Sequence, residues 1–149
     1  MITKILVATD GSKTAMKSVK YAADLARQTG AKIIVLSVVD RNYVITQSIP
    51  AVSTPTHITE SVEDYMRHAA EAYLSSAEKL CKKKGVETKT VVRSGHPVEQ
   101  IVREARKSKV DLIVMGSHGK SAIESAVLGS VTYGVIHNDT RIPVLVTRM

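Results

Sequence analysis

The sequence predicts a doubly wound α/β domain: five parallel strands in the order 3-2-1-4-5, with helices on both faces. Three observations carry this. Five short apolar runs alternate with four stretches of helical periodicity. The central runs are apolar throughout, as expected of strands covered on both sides. Right-handed crossovers between such strands give the double winding. The chain has 149 residues, about one domain, with no repeat or linker, so residues 1–149 read as a single unit.

The elements follow in order. "KILVATD" (4–10) is a buried strand that ends at a turn. From Ser12, the residues Ala15, Val19, Ala22, Ala23 and Ala26 recur at helical spacing, and Gly30 is the stop. "KIIVLSVV" (32–39) is a second buried strand. Residues 40–58, rich in Ser and Thr with Pro50 and Pro55, read as a long loop that is mobile without ligand and ordered with it. "ESVEDYMRHAAEAYLSSAEKLCKKKG" (60–85) is a long helix, and "VETKTVVR" (86–93) the third strand. In "PVEQIVREARK" (97–107), Val98, Ile101, Val102 and Ala105 share a face, and Pro97 suits the first turn. "VDLIVMG" (110–116) is the fourth strand, "GSVTYGVIHND" (129–139) the last helix and "PVLVTRM" (143–149) the fifth strand.

Composition narrows the function. No apolar run reaches the ~18 residues of a membrane span, and the N-terminus reads as a strand rather than a signal peptide. A single cysteine, Cys81, excludes an intrachain disulfide and a multi-cysteine metal site, which suits a cytoplasmic protein. Of the five histidines, His57, His68, His96 and His137 form no close pair at ligand spacing. Net charge is +7, which invites a nucleic-acid reading. Phe and Trp are absent, however, and the basic residues are spread along the chain, so no stacking platform for bases is apparent. Nucleic acid and membrane are not expected partners.

In the order 3-2-1-4-5 the winding reverses between strands 1 and 4, and ligands of such sheets sit beyond the strand ends at that point. Strand 1 ends in "ATDG" (8–11) and strand 4 in "VMGSHG" (114–119). "GSHGKS" (116–121) resembles half of a P-loop but is not one, because Val114 stands where the first glycine belongs. Its spacing is instead Gly116, two residues, Gly119, nine residues, then Gly129-Ser130. Two glycines allow a loop to bring backbone N–H groups close to an anion. Gly129, Ser130 and Val131 open a helix whose first turn offers donors and a positive dipole end. Lys120 can add a charge. His118 either contacts a phosphate or faces solvent. Thr9 and Asp10 end strand 1. Asp10 has two roles open to it, a ribose acceptor or a capping partner of the first helix. Ala8 and Met115 offer apolar walls for a base, and Val38 backbone groups for its edge.

These stretches resemble the universal stress protein family in its nucleotide-binding branch. "KILVATDGS", "VVRSGHPVEQIVREA", "DLIVMGSHG", "GSV" and "IPVLVTR" carry the resemblance along essentially the whole chain, and the glycine spacing matches the family's ATP motif. The resemblance implies an adenine nucleotide alpha hydrolase-like fold that holds ATP with Mg or Mn. It implies Asp10 on ribose, Ala8 and Val38 beside adenine, and Gly116, Gly119, Gly129, Ser130 and Val131 on the phosphates. Lys120 departs from the arginine frequent there, and "HNDTRIPV" from the family's usual small residues and prolines.

The expected function is an ATP-binding, stress-associated regulator acting on a downstream protein partner. Two alternatives stand beside it: a slow ATPase or self-phosphorylating enzyme, and a protein-interaction module with a vestigial site. Phosphoryl transfer needs a group to position the nucleophile, and Glu124 is the only carboxylate near the glycines. No catalytic residue is assigned, and any cation is expected on the phosphates. The last strand, residues 143–148, lies at a sheet edge and is apolar on both faces. A homodimer through it is expected and is also what the resemblance implies.

Overall fold

The computed structural model describes residues 1–48, 55–119, 128–138 and 141–148. Five strands, β1 (Lys4–Ala8), β2 (Lys32–Asp40), β3 (Thr88–Gly95), β4 (Leu112–Gly116) and β5 (Val144–Thr147), form one sheet in the order β3-β2-β1-β4-β5. All four pairings are parallel. The helices are α1 (Lys13–Thr29), α2 (Arg41–Ser48), α3 (Pro55–Lys83), α4 (Pro97–Lys107) and α5 (Ser130–His137).

Alternation along the strands divides the core into two layers. Ile5, Val7, Ile33, Val35 and Val114 point toward α1 and α3, where they meet Val19, Ala22, Leu74 and Cys81. Leu6, Ile34, Leu36, Ile113 and Met115 point the other way, toward Ile101, Val102 and Ala105 of α4 and Val135 of α5. Leu6 and Ile113 are fully buried, and each such side chain contributes about 1.5–3 kcal/mol. The sheet is thus covered on both faces.

Local signals set the helix ends. Ser12 caps α1, its hydroxyl accepting from the Ala15 N–H at 3.1 Å. Gly30 closes that helix at φ 75, where a side chain would be strained. On α4 the expected apolar face is buried together with one carboxylate, Glu104, which pairs with Arg93 of β3 at 2.9 Å and accepts from Ser108 Oγ at 2.8 Å.

The expectation of a loop over 40–58 is corrected. Arg41–Ser48 is helical, and α3 begins at Pro55 rather than Glu60. Asp40 Oδ1 accepts from the Asn42 N–H at 3.0 Å at the start of α2. Val44 is buried beside Val39 and Ala70, and that burial holds a short helix whose own sequence is only weakly amphipathic. The rest of the expected lid, residues 49–54, lies outside the described residues.

Candidate functional site

The site forms where β1 and β4 end. Thr9 extends the sheet by one bond, its N–H donating to Leu36 O at 2.9 Å. The chain then turns tightly. Thr9 Oγ1 accepts from the Gly11 N–H at 3.2 Å, and Asp10 Oδ1 from the Ser12 N–H at 2.9 Å. Gly11 sits at φ 81, and the Tyr73 ring of α3 occupies the space a Cβ would need. Both the backbone angle and the close approach require glycine. The cap of α1 is Ser12, so Asp10 does not fill that role directly; it holds the turn that precedes the cap.

The second Asp10 oxygen faces the loop after β4. A Cβ placed on Gly119 would lie 2.6 Å from Asp10 Oδ2. This approach joins the two halves of the predicted site. The loop is fixed on its other side by Ser117, which is buried. Ser117 N–H donates to Thr147 O of β5 at 2.8 Å, and Ser117 O accepts from the Gly129 N–H at 2.6 Å. Thr132 of α5 donates its hydroxyl proton to Gly116 O at 2.8 Å. His118 Nδ1 lies 3.0 Å from Ser117 Oγ, and its ring is half-buried.

The glycines divide their tasks. A Cβ on Gly116 would lie 2.8 Å from Thr14 Cγ2 and 3.3 Å from Ser18 Oγ. This bare face lets α1 lie against β4. Gly129 packs on the backbone of 117–119, where a Cβ would lie 3.3 Å from Ser117 O. Its N–H is committed to Ser117, so the open donors at this helix start begin after Gly129. Ser130 is exposed, and the first turn of α5 has no side-chain cap.

The remaining predicted residues gather on one side. Ala8, Val38, Met115 and Val131 all belong to the apolar layer under α4 and α5. Ala8, Val38 and Val131 are only partly buried, which leaves apolar surface at the strand ends for a flat ring. Gly119 is exposed. Lys120 lies outside the described residues, as does the spacer to 127. Sequence reading missed Tyr73, Thr14, Ser18 and Thr132. No local pattern marks them, because each matters through a contact with a distant segment.

This geometry can present a carboxylate, a glycine loop and a helix start to one ligand. The family model for the universal stress protein family matches residues 1–148. The chain belongs to that family. Universal stress protein YxiE of Bacillus subtilis is 33% identical over 149 residues, covering 99% of this chain and 100% of the relative. Universal stress protein MJ0577 of Methanocaldococcus jannaschii is 31% identical, covering 99% of this chain and 96% of the relative. The solved structure of MJ0577 superposes with a TM-score of 0.85 at 30% identity, over all of this chain and 97% of the other. A universal stress protein solved in complex with cAMP superposes at 0.70, with 25% identity, over 99% of this chain and 97% of the other. The fold expected of the family is therefore the fold observed. Among the described residues no helix is long and apolar enough to cross a membrane.

Proposed function

We propose that this protein is a cytoplasmic, ATP-binding regulator of the stress-response type. It holds ATP with Mg or Mn where β1 and β4 end, and it acts as a homodimer on a downstream protein. The observation that carries the reading is the approach of Gly119 to the Asp10 carboxylate, with Gly129 and α5 stitched to the same loop. In this reading Asp10 accepts from the ribose hydroxyls. Ala8, Val38 and Met115 line the base. Backbone donors of Gly119, Ser130 and Val131 receive the phosphates, with His118 beside them and the Lys120 charge in support. Thr9 positions the turn, and Gly129, whose N–H is bound to Ser117 O, sets the loop's path rather than donating. The cation we propose rests on phosphate oxygens. The cAMP complex of a relative supports an adenine nucleotide as ligand.

The test compares ATP with 2′,3′-dideoxy-ATP on the wild type and on Asp10→Ala. The substitution should weaken ATP by about 1.5–3 kcal/mol, the scale of hydrogen bonds to a charged group. The loss should shrink for the dideoxy nucleotide. Equal losses would remove the ribose from the assignment and leave Asp10 as a turn residue.

A further inference from the structure

At the opposite end of the sheet, near the strands' N-termini, lies a cleft of about 470 Å³ between β2, β3 and the end of α4. Six cations line it, Lys4, Lys32, Lys89, Arg93, Lys107 and Lys109, against two carboxylates, Glu87 and Glu104. The register pairs Lys4 of β1 directly with Lys32 of β2, and sets Lys89 of β3 opposite Ile34. Like charges directly opposite on neighbouring strands destabilise a sheet. The Lys4 and Lys32 charges therefore repel one another across β1 and β2.

Compensation inside the cleft is partial. Glu104 is buried and committed to Arg93 and Ser108. Lys4 donates to Ser108 O at 2.9 Å. Glu87 reaches Lys32 only at 3.6 Å, with both side chains mostly exposed, where ion pairs are weak. The ammonium groups of Lys89, Lys107 and Lys109 have neither an ion pair nor a hydrogen-bond partner among the described residues. The negative end of the α4 dipole accounts for Lys107. It does not account for the strand-borne lysines.

We propose that this cleft is a second ligand site, separate from the nucleotide site, for a compact anion with two or more phosphate groups. A cleft dominated by one sign of charge, with the apolar Ile34 side chain beneath it, concentrates the field on a small anion. Its volume matches small-molecule pockets rather than an extended polymer track. Flexible ammonium groups suit phosphates of varied spacing.

Inorganic tripolyphosphate is the probe, titrated calorimetrically at low salt. Gly129→Val, which crowds the nucleotide loop, should retain saturable tripolyphosphate binding at the cleft. Lys32→Ala combined with Lys89→Ala should weaken it at least about tenfold, and Lys107→Ala should weaken it independently. Glu87→Gln should tighten it. Removing like charges should leave the melting temperature unchanged or higher, which separates lost binding from lost folding. The proposal is overturned if the wild type shows no saturable binding, or if Gly129→Val removes it. It is also overturned if Lys17→Ala with Lys20→Ala, on exposed α1 positions, weakens binding as much as the cleft pair. Tighter binding of a thymidine 12-mer through the same lysines would replace the small anion with a nucleic acid.

Discussion

Gly116 and Gly119 look alike in the sequence, yet their missing side chains make room for different things. Gly116 accommodates Thr14 of α1, and Gly119 accommodates the Asp10 carboxylate. Gly116→Val should therefore destabilise the fold by about 1–3 kcal/mol, as overpacking does, and lower the melting temperature with or without nucleotide. Gly119→Val sits on an exposed loop and should abolish ATP binding while the melting temperature stays near wild type. If the two variants behave alike in both assays, this division of roles is wrong. The spacing of the glycines was legible in the sequence, but their separate tasks were not, because Thr14 and Asp10 reach them only through tertiary packing. Cys81 offers a second residue-scale check. Its thiol is fully buried, and burial pushes its pKa up, with a hydrogen bond to Thr88 partly opposing the shift. A thiol raised in the fold favours folding below its unfolded pKa, and that contribution is lost as pH rises through the folded value. Stability measured by urea unfolding should thus fall more steeply above about pH 8.5 in the wild type than in Cys81→Ala. Parallel curves would contradict this.

At the scale of elements, β5 is the most consequential. Val144 and Leu145 pack on opposite layers, so the strand is anchored in both. The carbonyls of Pro143 and Thr147 face β4, accepting from Ile113 and Ser117 at 3.0 and 2.8 Å. Alternation along a parallel ladder then turns the backbone groups of Val144 and Val146 toward the open edge. Val146→Pro should remove an outward donor while sparing the bonds to β4. Sedimentation should show a wild-type dimer and a variant monomer with unchanged circular dichroism. A wild-type monomer at micromolar concentration would end the dimer proposal, and a dimeric variant would move the interface elsewhere. All five strands were legible, because buried parallel strands are continuous apolar runs. Helix α2 was not, because Val44, Ile45 and Thr46 are β-branched and the stretch lies near two prolines. Tertiary burial of Val44 overrides that local preference. Pro55 read as a loop residue, yet it is the first residue of α3, where proline is well suited.

Over the whole molecule the two ends of the sheet differ in kind. One end carries Asp10, the glycine loop and the start of α5; the other gathers six cations around a cleft. In the sequence those cations are scattered between positions 4 and 109, and only strand register and the α4 crossover bring them together. The +7 charge therefore gave no hint of a site, whereas the proposed nucleotide end could be put forward from sequence because its residues cluster at strand ends in a fixed spacing. The central claim is that the β1–β4 end holds one adenine nucleotide per chain. Isothermal titration of the wild type with ATP and Mg tests it most directly, with Gly129→Val, whose side chain would crowd Ser117 and His118, as the paired variant. The structure predicts saturable binding of one ATP per chain, lost in the variant at unchanged circular dichroism. Absence of saturation in the wild type at about 1 mM ATP, an affinity weaker than roughly −4 kcal/mol, or equal affinity in the variant, would contradict it.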